Sequence, residues 1–402
     1  MNRKISLGLA LSLIIITAAA SFAVTMAYSQ KVYNRVIPGL SSRLERIDEL
    51  QDIESKIQSY YYDVDSIDNQ KLNASVSRGY LDGLGAWGDR YLTAQEYQDY
   101  LNIIECKTRG IGIITTQKAG IAALYVLFVA PGSPAEKEGL VSGDEIIKID
   151  GEDVLPDNHQ ASASKLQGMS LKTVVLTCRR GGEVFTANVL FGFDEQSVAY
   201  SVYGSAGYIK IFSFYKNTPA QLENAIKELT GQGVKGIIFD VRGTKDGTIE
   251  YAAQTADILV PTATLKDSQF AKAVYRDSNN NRIFASDAKE LTLPMVVLIN
   301  NETSGGAEFF AVSLVDFKGS ITVGAKTSGN NMLQDLIPLE SGSAVLLTVA
   351  KIEAYKTKDY SKGIAPSVEE VALTDEQAAA GGTLKLAEDP QFLKALLYIP
   401  GG

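Results

Sequence analysis

The sequence predicts a multidomain α/β protein made of an N-terminal membrane helix, a helical segment, a small mostly β module and a layered α/β core. Three observations carry this expectation. Residues 5–28 hold no charged side chain and are mostly apolar. Residues 110–193 read as short β-like runs broken by Gly, Pro and Asp turns. From residue 207 onward, strand-like and helix-like segments alternate. At about 150 residues per domain, a chain of 402 residues suits two or three domains, and its 45% hydrophobic and 21% charged composition is that of a globular protein.

Residues 1–30 begin with "MNRK", which places positive charge ahead of the apolar run. A membrane helix needs roughly 20 such residues. Arg3 and Lys4 keep the short leader inside, so the body lies outside. The alternative is a cleaved signal peptide, with Ser21 and Ala23 as a small-residue cleavage site. Both readings export the rest of the chain. Residues 31–105 form the helical segment. Within 31–60, Leu40, Leu44, Ile47, Leu50, Ile53 and Ile57 recur every three or four positions, with Ser41 or Ser42 as the cap. The stripe suits a dimerisation helix near the membrane, or a helix packed on its own domain. Residues 66–104 continue as a short helical segment.

Residues 106–195 form the β module, which ends near Phe193. Residues 196–375 form the core. "GYIKIFSF", "VKGIIFDVRG" and "LPMVVLINN" read as strands; "TPAQLENAIKELTGQG", "TIEYAAQTADILV" and "GGAEFFAVSLVDF" read as helices. "SITVGAKTSG" and "GSAVLLTVAKIEAY" add further strands. Alternation of this kind implies a substantially parallel sheet in a layered domain. "DPQFLKALLY" makes a closing helix in the tail, residues 376–402.

Composition excludes several functions. The net charge is −9, and no long basic run follows the extreme N-terminus, so nucleic acid is not an expected partner. Cys106 and Cys178 can pair in an oxidising compartment but are too few for a disulfide framework. His159 is the single histidine, which excludes a His-rich metal site. Beside Asp157 and Asn158 it reads as a surface loop residue. No metal and no cofactor is expected.

The run "RGIGII" can present consecutive backbone N–H groups at Gly110, Ile111, Gly112 and Ile113, because neither glycine carries a bulky side chain. "PGSPAEKEGLVSGDEIIKIDGEDV" follows, with Pro134 and Ala135 starting a helix, Gly139 ending it, Gly143 and Asp144 in a turn and Ile146, Ile147 and Ile149 in a strand. Together these stretches resemble a PDZ domain. The resemblance implies that the 110–113 loop holds a C-terminal carboxylate while the peptide adds as an extra strand.

The order "GYIKIFSF … VKGIIFDVRGTKDGT … LPMVVLINNETSGGAEFFAVSLVD … VGAKTSGNNMLQ … GSAVLLTVAKIEAY … KGIAPSVE", with "GYLDGLGAWGDRYLTAQEY" before the β module, resembles the C-terminal processing peptidases, or tail-specific proteases. The core is thus expected to be protease-like. That family uses a Ser/Lys dyad supported by Gln. With Glu308 as the motif glutamate, the nucleophile position falls on Gly305. The base position, four residues before the retained Gln334, falls on Asn330. Glycine has no oxygen to attack with, and an amide takes no proton near neutral pH. In the family's oxyanion turn, Gly247 is retained, but Asp246 stands where a glycine is expected and opposes developing negative charge. Lys245 stands in place of its proline, and Gln167-Gly168 in place of an Arg-Gly pair in the β module. A shifted dyad of Ser304 and Lys326 is the alternative, although moving one residue at a helix entrance turns a side chain by about 100°.

The N-terminal run and the resemblance together imply a membrane-anchored, extracytoplasmic protein whose dyad is substituted. It is expected to bind protein C-termini or unfolded exported proteins, or to regulate an active relative, as a homodimer or heterodimer. The alternatives are an active serine endopeptidase, or a structural protein with a closed groove.

Overall fold

The computed structural model describes residues 7–36, 40–85, 88–168, 172–260, 269–286, 291–368, 371–374, 377 and 384–401. The chain divides into two compact units, Met1–Val76 and Ser77–Gly402.

The first unit is helical. Helix α1 spans Leu7–Val36 and α2 spans Leu40–Tyr60. Residues 1–6, where the leader charge falls, and residues 37–39 lie outside the described residues. Among the described residues, no helix is long and apolar enough to cross a membrane. In α1, Ile14, Ile15, Ile16, Phe22, Val24 and Met26 are exposed. Helix α2 starts at Leu40, so Ser41 and Ser42 fall inside its first turn and not before it. The apolar periodicity begins at Leu40 itself, which accounts for the difference. Ile47, Leu50 and Ile53 of the stripe are exposed.

The second unit begins within α3 (Asn69–Asp82), followed by β1 (Arg90–Leu92) and α4 (Ala94–Ile104). The sequence alone predicts a short helical segment over residues 66–104, without a strand. Here Asp89 departs from that reading: its Oδ1 accepts the Thr348 N–H and Oγ1–H, both at 2.7 Å. That long-range anchor draws Arg90–Leu92 into a sheet. A capping box at Thr93 and Glu96 then starts α4.

The β module contains β2 (Arg109–Gly110), β3 (Ile113–Thr116), β4 (Leu124–Val129), α5 (Pro134–Lys137), β5 (Glu145–Ile149), β6 (Glu152–Asp153), α6 (His159–Ser164), β7 (Thr173–Arg180), β8 (Glu183–Leu190) and β9 (Phe193–Asp194). Its main sheet runs β3-β4-β5-β7-β8 with β6 on β5, and among the described residues the β3 edge pairs only with β4. Ser133 caps α5, with Pro134 in the first turn, and Gly139 and Gly143 take positive φ in the turns that follow. The fully buried Leu124, Ile146, Val174, Leu176 and Val189 form the module's own core.

The larger core follows with β10 (Val198–Tyr203), β11 (Ala206–Ile211), β12 (Ser213–Phe214), α7 (Thr218–Gly231), β13 (Gly236–Asp240), β14 (Asp246–Gly247) and α8 (Ile249–Asp257). After these come β15 (Gln269–Tyr275), β16 (Arg282–Ala285), β17 (Met295–Ile299), α9 (Gly306–Lys318), β18 (Ile321–Gly324), β19 (Met332–Pro338), β20 (Ala344–Ala354) and α10 (Pro390–Leu396). One sheet has the order β10-β11-β13-β17-β18, parallel except at the β10–β11 pair. A second, antiparallel sheet has the order β1-β20-β15-β16, with β19 also on β20. The central parallel strands β13 and β17 are buried along their whole length because both faces are covered, and apart from Asp240 at the end of β13 their side chains are apolar. Ile237, Phe239, Val297 and Ile299 belong to the cluster that also holds Leu222, Ala252 and Phe310, from α7, α8 and α9. The alternate residues Ile238, Val296 and Leu298 pack with Phe392 and Leu396 of α10. Two-residue periodicity divides the strands between these layers.

Candidate active site and peptide groove

Residues 300–305 carry the chain from β17 into α9. The Thr303 hydroxyl donates to the Val241 carbonyl at 2.9 Å, and the Ser304 amide donates to the Thr244 carbonyl at 3.0 Å. Gly305 is the N-cap of α9, with φ 57° and ψ −113°. A residue bearing a Cβ is strained there. A Cβ built on Gly305 would lie 3.3 Å from Asn330 Nδ2, so the structure brings these two positions face to face. The pair offers neither an oxygen nucleophile nor a basic nitrogen.

Glu308 holds Asn330 in place. It is fully buried in the first turn of α9. Its carboxylate accepts the Thr327 hydroxyl, the Ser328 hydroxyl at 2.9 Å, and the Gly329 and Asn330 amides, both at 2.7 Å. Asn330 Oδ1 then accepts the Met332 amide at 3.2 Å, fixing its side chain at the entrance to β19. Two residues further, Gln334 Nε2 donates to Asp89 Oδ1 at 3.2 Å. Asp89 is a residue that the sequence reading missed; its only signal was its place in the "GDRYL" run.

The turn at Asp246 and Gly247 lies alongside. A Cβ on Gly306 would sit 3.3 Å from the Thr248 carbonyl, so the start of α9 abuts the residue after Gly247. Gly247 has φ 117°, and a Cβ there would fall 2.3 Å from the Phe214 carbonyl. Only glycine fits, because β14 pairs closely with β12. The Asp246 side chain is exposed. Burial first, and then the Asp246 charge, push the Tyr215 phenol upward.

Ser304 and Lys326 are not brought together by a hydrogen bond. Ser304 is 3% exposed, and its hydroxyl has no partner among the described residues. It does not cap α9, because Gly305 occupies that position and Ser304 contributes only its carbonyl, to the Ala307 amide. Lys326 is exposed, and its Cε lies 3.2 Å from a Cβ built on Gly363.

A buried ionic cluster closes the far end of β13. Asp240 accepts from Arg242 and Lys210, and Arg242 also pairs with Asp389 at 2.7 Å ahead of α10. Burial pushes the Asp240 carboxyl up, but the Arg242 and Lys210 charges outweigh it and hold the group below the usual carboxylate range. Burial pulls the Lys210 ammonium down, with Asp240 opposing. These groups satisfy one another and tether α10 to the sheet. Among the described residues, no three His, Cys, Asp or Glu side chains cluster as metal ligands.

In the β module, the carbonyls of Gly110, Ile111 and Gly112 accept the amides of Gly192, Ala135 and Ala130 at 3.1, 3.1 and 2.8 Å. The amides of Ile111 and Gly112 find no acceptor among the described residues. Gly112 has φ 86°, and a Cβ there would strike Ser133 Cβ at 2.2 Å. Helix α6 faces the β3 edge. His159 is not the surface loop residue expected: it opens α6, half-buried, with Nε2 3.0 Å from the Thr115 carbonyl of β3. The turn at Asp157, where φ is 54°, delivers it there. A cavity of about 1830 Å³ runs from this groove, lined by Ile113 and Leu166, past Glu195 to Asp240 and Glu302 at the strand ends of the core. Gly305, Asn330 and Gln334 are not in its lining.

Comparison with known proteins agrees with these parts. Residues 205–370 match peptidase family S41, and residues 125–180 match a PDZ domain. The carboxy-terminal processing protease CtpA of Bacillus subtilis is 27% identical, with 96% of this chain and 84% of that protein covered. The chloroplastic C-terminal processing peptidase of Tetradesmus obliquus is 30% identical, over 66% of this chain and 61% of that one. An S41-family structure from Bacteroides fragilis, 18% identical with a TM-score of 0.55, covers 79% of this chain and 88% of its own, and shares the fold. With the module at 125–180 and the core at 205–370 matched in this order, the chain belongs to the C-terminal processing peptidase family and carries its PDZ domain.

Proposed function

We propose that this protein is a membrane-anchored, extracytoplasmic pseudoprotease of the family, which binds protein C-termini or unfolded exported chains, or regulates an active relative. The observation that carries the reading is Gly305 facing Asn330 on a loop pinned by Glu308. In this reading 305 and 330 are the nucleophile and base positions. The scaffold of a Ser/Lys site is present, and the groups that would attack and deprotonate are not. The free amides of Ile111 and Gly112 support peptide binding at the β3 edge. Anchoring rests on the uncharged run at residues 5–28 and on the exposed apolar side chains of α1; the exposed stripe of α2 is the proposed dimer contact.

A serine-reactive fluorophosphonate probe, run beside a casein cleavage assay, tests the proposal. Neither labelling nor cleavage is expected. Cleavage that Ser304→Ala abolishes would replace this reading with the Ser304/Lys326 dyad. N-terminal sequencing of the mature protein tests the anchor, and a start near Val24 or Tyr28 would make it a cleaved signal.

A further inference from the structure

The groove meets the core at a carboxylate with no assigned role. Glu195 follows β9, which pairs with β2 and its Gly110. The carboxylate lies directly over that glycine: a Cβ on Gly110 would be 2.8 Å from Glu195 Oε1 and 3.3 Å from Oε2. Oε1 is buried and has no hydrogen-bond partner, and the same holds for Thr108 Oγ1, two residues before Gly110. Both residues line the cavity that Gly110, Ile111 and Ile113 line. A buried acceptor and a buried hydroxyl left open at one end of a groove are the marks of a site that a ligand completes. Burial, opposed by a hydrogen bond from Gln167, pushes the Glu195 carboxyl up to about 7.

We propose that Glu195 is a specificity-determining residue of the groove: it admits a peptide's terminal carboxylate only when it carries a proton itself, so binding takes up one proton from solvent. The inference rests on the reading of residues 110–113 as the carboxylate-holding loop. Two carboxylates in one site do not both ionise without cost. A protonated Glu195 donates an O–H to the incoming carboxylate, and an ionised one repels it. The neighbouring groups do not replace it. Burial keeps the Cys106 thiol and the Tyr215 phenol neutral. Arg109 is paired with Asp194, and Lys216 with Glu105. Lys107 is exposed, and His159 sits on α6, bonded to Thr115.

The test titrates the full-length protein with a decapeptide ending in valine, chosen for the apolar Ile111 and Ile113, as free acid and as amide. Calorimetry is run at pH 6 and pH 8 in two buffers of different protonation enthalpy. The free acid should bind about tenfold tighter at pH 6 than at pH 8, since a carboxyl titrating near 7 is about nine-tenths protonated at pH 6 and about one-tenth protonated at pH 8. About one proton should be taken up at pH 8, and the amide should show neither effect. Glu195→Gln should remove the pH dependence, and Gln167→Arg, which sets a cation beside the carboxylate, should move its midpoint down. Equal binding of acid and amide, or no binding of either, would overturn the loop reading and this inference with it. A preference for the acid without proton uptake, or pH dependence that survives Glu195→Gln, would overturn the role of Glu195 alone and leave the loop reading standing. Should Glu195→Gln fail to fold, the uptake by the unmodified protein and the Gln167→Arg shift decide the matter.

Discussion

Replacing Glu308 with alanine should release the 327–330 loop while leaving α9 intact. The side chain is fully buried and accepts four hydrogen bonds, two of them from the Gly329 and Asn330 amides at 2.7 Å. The Thr327 and Ser328 hydroxyls can rotate toward other acceptors, but the two amides cannot. Each buried amide left unpaired costs about 1–3 kcal/mol, so the pair alone costs about 2–6 kcal/mol. Alanine is a good helix former, which leaves the helix term close to neutral. The net expectation is a loss of roughly 3–5 kcal/mol. At about 2–4 °C per kcal/mol for a domain of this size, the melting temperature should fall by about 6–20 °C. Thermal denaturation followed by circular dichroism reads this directly, and hydrogen exchange should show the Gly329 and Asn330 amides losing protection before the β17 amides. Glu308→Gln, which keeps the volume and one acceptor, should fall between the parent and the alanine variant. A loss below about 1 kcal/mol would refute the idea that Glu308 holds this loop.

Gly305→Ser and Asn330→Lys should each leave casein uncleaved, because residues that act as one unit fail one at a time; the double variant should show slow cleavage, faster still with Asp246→Gly. Gly247→Ala should cost about 3 kcal/mol or more by urea denaturation, since its Cβ would meet the Phe214 carbonyl at 2.3 Å; an unchanged midpoint would contradict the close β12–β14 pairing. Glu195 is raised in the folded protein to about 7, so its stabilising contribution is complete below the unfolded value and is lost as pH rises toward and through 7. Glu195→Gln should therefore be more stable than the parent at pH 8, by about 1–3 kcal/mol after allowing for partial exposure, and equal to it near pH 4.

Much of this architecture is legible in the sequence, for identifiable reasons. The apolar runs at residues 236–239 and 295–299 are wholly buried, and short continuous apolar runs between turn residues read as buried parallel strands. Pro134, Gly139 and Gly143 mark boundaries through backbone preferences that hold in any context. β1 was not legible, because three residues become a strand only when Asp89 finds Thr348, more than 250 positions away. His159 was misjudged for a related reason: its polar neighbours Asp157 and Asn158 suggest a loop, and only the folded turn points the ring at β3. In the candidate site, the family resemblance anchored on Glu308 and Gln334 singled out positions 305 and 330, and the structure sets the two face to face. The clamp from Glu308 and the open carboxylate of Glu195 depend on burial, which spacing does not encode.

The turn at Gly305 also bears on how such a chain can change over time. Its φ of 57° and ψ of −113° suit glycine and strain every other residue by about 1–3 kcal/mol. A serine held there would carry that strain permanently, and it would endure only while cleavage rewarded it. Glycine at this position relaxes the backbone, and the Asn330 amide then lies against the space that a side chain would need. From that point the return to serine runs uphill in stability and, without a lysine opposite, gives nothing in exchange. Under the function proposed above, the turn works as a ratchet: one substitution relaxes the backbone, and several concerted ones would be needed to restore a dyad.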